Sequence, residues 1–249
     1  MISYIEQKSL NAWPALNTIV YDGWLLRFAD GLTRRANAIY PLFNSTIELE
    51  EKLKFCEDIY FSKGQPVIFK LTEDKIDINE FLINNGYQKD AETYVQTIST
   101  DNFSSFKNDA IRISDTYDIN WINRFIQFNN YNEQDRKGYE GILNQIFLKT
   151  GYVDLVINGE CIGCGLGVIE DRYVGIFDIV VSPMFRNKGY GQIIVESLIK
   201  WGNDNGAKTA YLQVMKNNPQ ALRLYEKIGF KKMYKYWYQV KQPITASNK

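Results

Sequence analysis

The run Val174–Ser182 restricts the fold more than any other segment. It is dense in apolar residues and reads as a strand, and it stops at Ser182-Pro183. Proline cannot donate to a β-ladder, so sheet pairing must change there. The turn Arg186-Asn-Lys-Gly-Tyr-Gly191 follows and opens a helix over 188–205, with Ile193, Ile194, Leu198 and Trp201 on one side. A strand, a glycine turn and an amphipathic helix in succession demand an α/β (α+β) layered fold.

The rest of the chain supplies similar units. After a short helical start, strands are expected over 21–28 and 34–40, with Asp30-Gly31 as turn chemistry between them. Leu49, Leu53, Cys56 and Tyr60 mark an amphipathic helix over 46–63, ended by Gly64. A strand at 66–71, a helix at 78–85 and an extended segment at 87–98 follow. The polar stretch 99–108 is the best linker. Beyond it come a short strand at 111–113, helices at 118–128 and 134–148, and two strands flanking Asn158-Gly159, a strong hairpin signal. A strand at 210–215, a helix at 218–228 closed by Gly229 and a final aromatic strand at 232–240 complete the order.

The two halves echo each other. Pro66–Leu71, a helix, then Gly86-Tyr87 parallels Ala210–Met215, a helix, then Gly229-Phe230. A duplicated module accounts for this; chance likeness of strand–helix–strand units is the alternative.

Composition narrows the chemistry. There is no histidine, which removes Ser-His-Asp and Cys-His catalysis and the usual zinc sites. Cys161-x-x-Cys164 has no second ligand pair, and on a regular strand its two thiols face opposite sides; no metal is expected. Charge is balanced at 29 basic and 29 acidic residues, so a nucleic-acid partner is not expected. No apolar stretch approaches the roughly 20 residues that span a bilayer, and the N-terminus lacks the order of a signal peptide. A cytoplasmic protein without a membrane partner is the expectation.

A helix N-terminus has unpartnered N–H groups, and glycines let a ligand approach them closely. The turn at 186–191 is therefore suited to an anion, with Arg186 and Lys188 adding positive charge. It is neither a P-loop nor a dinucleotide fingerprint. The wider pattern is more specific: Val181-x-Pro183-x-x-Arg186-x-x-Gly189-x-Gly191, then Asn218-x-x-Ala221-x-x-x-Tyr225-x-x-x-Gly229-Phe230. It resembles the GNAT superfamily of acyl-CoA-dependent N-acyltransferases over roughly residues 111–240.

The resemblance implies a mixed, mostly antiparallel central sheet flanked by helices, with two GNAT-like modules in tandem. Residues 1–100 would form a degenerate module, 108–241 the acetyltransferase domain and 242–249 a polar tail. It implies acetyl transfer from acetyl-CoA, the co-substrate, to a primary amine of a small molecule or peptide, by a monomer or homodimer. Ile179, Val180 and Val181 would bind pantetheine through their backbone. The turn Asn187, Lys188, Gly189, Tyr190, Gly191 and Gln192 would hold the pyrophosphate, with Arg186 opening it. Asn218 and Ala221 would contact the cofactor, and Tyr225 would lie near the thioester sulfur. A thiol near pKa 8.5 and a tyrosine near 10 let a positioned Tyr225 act as general acid. Gln213 stands where family members often carry a glutamate base. Asp178 is the substitute, with a water relay or no base as alternatives.

The first half departs from the pattern. Phe43-Asn-Ser-Thr46 stands where the phosphate turn should follow, and Leu82 replaces Tyr225. Its expected roles are covering a sheet edge or walling the acceptor pocket, with Trp24, Arg27, Arg34, Arg35 and Asn37 as candidates. Consecutive arginines on a strand face both ways, so at most one of Arg34 and Arg35 would reach a pocket. The rival functions are a non-catalytic acyl-CoA-binding or scaffold protein and transfer of a longer acyl chain.

Overall fold

The computed structural model describes residues 1–243; most of the polar tail lies outside them. The first half holds α1 (Ile2–Ala12), β1 (Asn17–Tyr21), β2 (Trp24–Phe28), β3 (Ile39–Pro41), α2 (Leu49–Ser62), β4 (Val67–Thr72), α3 (Ile76–Asn84) and β5 (Gln88–Ser99). The second holds β6 (Ile111–Ser114), α4 (Ile119–Asn129), α5 (Glu133–Leu143), β7 (Lys149–Ile157), β8 (Glu160–Glu170), β9 (Tyr173–Val181), α6 (Tyr190–Asp204), β10 (Thr209–Met215), α7 (Pro219–Ile228) and β11 (Lys231–Lys241).

All eleven strands form one sheet in the order β1-β2-β3-β4-β11-β5-β10-β9-β8-β7-β6. The order is nearly symmetric about β11 and β5. On one side β4 is parallel to β3; on the other, β10 is parallel to β9. The final strand of each half pairs with the penultimate strand of the other: β11 with β4, and β5 with β10. The halves are thus two similar modules that exchange their last strands, and β5 and β11 pair antiparallel at the centre.

Local chemistry explains the element ends. Asn158 and Gly159 both have positive φ (52° and 83°), the geometry of a two-residue hairpin turn. Asp118 caps α4, its side chain accepting from the Trp121 N–H. Asn132 and Asp135 form a reciprocal capping box at α5. The α5 helix stops at Leu143 rather than continuing to 148. Two expectations in the first half fail. The strand over 21–28 is interrupted by a hairpin turn at Asp22-Gly23, both with positive φ. The expected strand from Arg34 begins instead with a 3-10 turn, Arg34–Ala36, and only Ile39–Pro41 is extended.

Helices cover both faces. Ile194, Val195, Leu198 and Ile199 of α6 pack on Val153, Leu155, Val174, Ile176 and Leu212. On the opposite face, α1, α4 and α5 share a core with Trp13, Cys164, Leu166 and Phe177. Helix α1 belongs to the first half but reaches across the sheet. Its Glu6 pairs with Lys70 on β4 at 2.7 Å and accepts from the Tyr234 hydroxyl on β11 at 2.6 Å. Its Lys8 donates to Asp171 beyond β8 at 2.6 Å. The Glu6–Lys70 pair is almost fully buried (3% and 1% exposed), so losing either partner would strand a charge in the core.

Candidate active site

Strands β9 and β10 pair only from Tyr173/Thr209 to Ile176/Leu212 and then part. The far edge of β10 stays paired with β5 through Met215/Thr93. The opening therefore lies between β9 and β10, and the edge of β9 over 177–181 has no partner from β10 there. A register shift against β8 falls at the same level, between Cys164 and Leu166. Asp178, at φ 52°, is the residue that absorbs it.

Beyond Val181 the chain makes a short 3-10 turn over Pro183–Phe185 and enters the glycine turn. The Arg186 guanidinium ties this turn down, donating to the Val181 carbonyl at 3.1 Å and the Phe128 carbonyl at 3.3 Å. Asn187 (φ 63°) and Gly189 (φ 85°) are both left-handed. Among the described residues, no backbone carbonyl accepts from the N–H groups of Asn187 to Gly191. Successive free N–H groups at a helix N-terminus make an anion-binding concavity. A Cβ on Gly191 would meet only Leu224, at 3.4 Å, so the space above the turn is open.

A groove of about 350 Å³ runs from the strand opening to this turn. Its walls include Ile179, Val180 and Val181, the turn residues Arg186, Asn187, Gly189, Tyr190, Gly191 and Gln192, and Asn218, Ala221 and Tyr225 on the α7 side. Lys188 is not among them; its ammonium lies over the Phe185 ring at 5.3 Å. Asn129, Phe185, Gln220 and Leu224 also line the groove and were not singled out from sequence. Gln220 joins α7 to the turn by donating to the Asn187 side-chain Oδ1 at 2.6 Å. Asn218 caps α7, its Oδ1 accepting from Ala221 N–H at 3.0 Å.

A second cavity of about 520 Å³ adjoins the groove through Asn218, Ala221 and Tyr225, which line both. Its other walls come from Arg34 and Arg35, from Asp90, Ala91 and Thr93 on β5, from Gln213 to Met215, and from Tyr236 and Tyr238. Tyr225 packs edge-to-face on Phe230 at 5.8 Å and still faces both spaces. Burial pushes its phenol up to about 12, so it stays protonated throughout the physiological range. A desolvated thiolate is made more basic by the same cause.

Asp178 lies outside the lining of both cavities. It is half-buried, and its Oδ2 is shut off from solvent with no hydrogen-bond partner among the described residues. Desolvation raises its carboxyl from the usual 3.8 to about 7, and the charge of Arg35 opposes the rise. Gln213 is fully engaged: its Oε1 accepts from the Tyr236 hydroxyl at 2.7 Å and its Nε2 donates to the Ser9 hydroxyl.

The first-half candidates separate cleanly. Trp24 is core, packed edge-to-face on Phe69. Arg27 is buried and donates to the carbonyls of Leu10, Trp13 and Arg35. Asn37 is buried and bonds the backbone of Ala29, Gly31, Leu32 and Thr33. Arg34 and Arg35 both line the second cavity. The limit of one arginine assumed a strand; the 3-10 turn removes the alternation that imposed it. The Cys161 and Cys164 assignment to opposite faces also fails. A bulge between Leu155 and Val156 shifts the register. Cys161 donates to Asp154, and Cys164 sits directly across from Asp154. Among the described residues no cluster of metal-ligating side chains occurs, and no helix is long and apolar enough to cross a membrane.

The position equivalent to the phosphate turn is filled in the first half. The Asp22 carboxylate accepts from the N–H groups of Thr46 and Ile47, from the Thr46 hydroxyl and from the Lys52 ammonium, all at 2.9–3.1 Å. The Ile47 N–H leads the causes that hold this carboxyl well below the usual carboxylate range.

The parted strands, the glycine turn and the helix it opens define an acyltransferase of the GNAT superfamily. A GCN5-related N-acetyltransferase from Kribbella flavida shares the fold at TM-score 0.72, covering 98% of this chain and 96% of that one at 11% identity. A tandem GNAT protein from the clavulanic acid biosynthesis pathway does so at TM-score 0.68, over 98% and 89% at 7% identity. The chain belongs to the family described as "Probable histone acetyltransferase Rv0428c C-terminal", which matches residues 1–239. It is 29% identical to "Uncharacterized N-acetyltransferase YobR" of Bacillus subtilis (strain 168), over 97% of this chain and 99% of that relative. A 55-residue stretch, 22% of this chain and 37% of the relative, is 38% identical to the ribosomal protein bS18-alanine N-acetyltransferase of Salmonella typhimurium.

Proposed function

We propose that the protein transfers an acetyl group from acetyl-CoA to a primary amine by direct attack, with one active site per chain, in the second half. The observation that carries this reading is the continuity of the groove. It leads from the unpaired edge of β9 to the free N–H groups of the glycine turn, and Tyr225 stands where it meets the second cavity. A thioester ligand fits these residues: backbone groups of Ile179 to Val181 for its arm, and the turn N–H groups for its pyrophosphate. The co-substrate supplies the activated acyl carbon.

The chain's residues then have separable tasks. The amine enters from the second cavity and a C–N bond forms as the C–S bond breaks. A backbone N–H at the β9 bulge is aimed to favour the oxyanion, whose charge develops only in the transition state. Tyr225 gives its phenolic proton to the departing sulfur and recovers one from solvent. Asp178, outside both linings, takes through a water relay the proton that the amine nitrogen sheds; a carboxyl near 7 is matched to that role at neutral pH.

The test uses the full chain. Calorimetry with acetyl-CoA should give micromolar binding, of the order usual for enzyme substrates. Tyr225→Phe should retain that affinity while turnover falls by about 10²-fold or more. Absence of acetyl-CoA binding, or full turnover by Tyr225→Phe, defeats the reading.

A further inference from the structure

We infer that the second cavity selects acceptor amines bearing an anionic group, a carboxylate or a phosphate, which Arg35 receives with Arg34 beside it. The inference rests on the acetyl-transfer reading and adds the class of acceptor.

Two arginines and a single acidic residue, Asp90, line this cavity. Arg34 is paired with Asp90 at 2.7 Å. Arg35 is left over. Among the described residues its guanidinium joins no ion pair within 4 Å and donates no hydrogen bond. It is held in place nonetheless. The guanidinium lies 5.1 Å from the Trp13 ring and 5.6 Å from the Phe177 ring. Its backbone carbonyl accepts from Arg27 at 2.9 Å and from the Tyr40 hydroxyl at 2.8 Å. The neutral polar groups around it are satisfied, because Tyr236 donates to Gln213 and Gln213 to Ser9. A planar fork of five donors, held against two aromatic rings and unanswered, is built for a bidentate oxyanion. Asp178 does not fill that role, since no ion pair joins it to Arg35 among the described residues and burial keeps its carboxyl partly neutral at pH 7.

The geometry suits a molecule with both groups. Tyr225 marks the end of the cavity that meets the groove, where the amine must arrive. Arg35 then reads the anion on the same acceptor. A lysine-rich segment would instead meet two like charges, one of them uncompensated, in a confined space.

The experiment follows thiol release from acetyl-CoA with matched amines: phenylalanine against phenylalaninamide, phosphoethanolamine against ethanolamine, and a lysine-rich peptide. The expected result is a kcat/KM at least about 10-fold higher for the anionic member of one pair, which also shows whether carboxylate or phosphate is preferred. Arg35→Gln should lower that value roughly 100-fold, the size of a lost charged hydrogen-bond pair, and lower the neutral member far less, while leaving the KM for acetyl-CoA unchanged. Arg35→Lys, which keeps the charge, should recover part of the preference. Unchanged acetyl-CoA affinity certifies that each variant is folded. Equal or faster turnover of the neutral amines or the lysine-rich peptide overturns the inference, as does a preference that survives Arg35→Gln. Failure to acetylate either anionic amine while acetyl-CoA still binds also overturns it and leaves the groove assignment standing. Failure of acetyl-CoA to bind at all strikes the parent reading instead.

Discussion

Replacing Asp178 by Asn separates stability from catalysis in opposite directions. The carboxyl is raised from 3.8 to about 7 by burial. Below pH 4 it is protonated whether the chain is folded or not. Between pH 4 and 7 only the unfolded chain releases the proton, so native stability falls as pH rises through that window. About three units at 1.36 kcal/mol each give a loss of about 4 kcal/mol by pH 8. A salt-bridged carboxylate has the opposite sign. Arg35 faces the group and offsets part of the cost, while Tyr139, Tyr152 and Cys164 near it are neutral in this range. Asn keeps the shape and cannot ionise. The variant should therefore exceed the wild type in urea unfolding by only about 1 kcal/mol at pH 4.5 and by about 4 kcal/mol at pH 8, more than 1 M in midpoint there at a slope of about 3 kcal/mol per M. Its kcat/KM should drop by about 10²-fold or more. The wild-type rise of kcat/KM with pH to a plateau above about 7 should vanish. A stability difference that does not grow from pH 4.5 to pH 8 refutes the burial argument. A surviving pH–rate limb refutes the role as proton acceptor.

Two further substitutions test the turn and its first-half counterpart. Gly189→Val forces a β-branched residue into φ 85° at about 1–2 kcal/mol. The KM for acetyl-CoA should rise 10-fold or more, with kcat at saturation kept; an unchanged KM rejects the turn as the pyrophosphate site. Asp22→Ala removes the carboxylate held by Thr46, Ile47 and Lys52. The thermal midpoint should fall while acetyl-CoA affinity is unchanged, as calorimetry and binding on one preparation will show.

What the sequence makes legible is what short-range chemistry determines. Asn158-Gly159, the helix begun at Asp118 and the span of α6 depend on neighbours within a few residues, and all lie within about two residues of where the pattern puts them. The lining of the groove by 186–192 is equally local, because a single turn supplies Arg186, Asn187, Gly189, Tyr190, Gly191 and Gln192 together. The Asp22-Gly23 hairpin carried the same Asp-Gly signal as Asp30-Gly31. The apolar run that continues through it as Trp24-Leu25-Leu26 masks the turn. The second cavity has no local signature. Arg35, Thr93, Gln213 and Tyr236 come from four distant segments and meet only through sheet order. The exchange of β5 and β11 is likewise unreadable from one chain, since strand pairing at that separation leaves no periodicity behind.

The exchange also lets a half without an open turn contribute to the proposed acceptor cavity. At the start of α2, the place equivalent to the glycine turn, the chain supplies its own anion in Asp22 and a buried Lys52 beneath it. At the start of α6 the corresponding N–H groups are left open. Leu82, in the place of Tyr225, is fully buried. The first half thus satisfies internally what the second leaves for a ligand. Because its last strand lies against β10, Asp90, Ala91 and Thr93 reach the cavity that borders Tyr225, and Arg34 and Arg35 close the same wall. The groove is formed by the second half alone, whereas the cavity beside it is formed by both. On the proposed reading, cofactor recognition and acceptor recognition therefore fall on different parts of the chain. Substitutions in 34–35 and 90–93 should alter which amine is used without altering acetyl-CoA affinity, and substitutions in 186–192 should do the reverse.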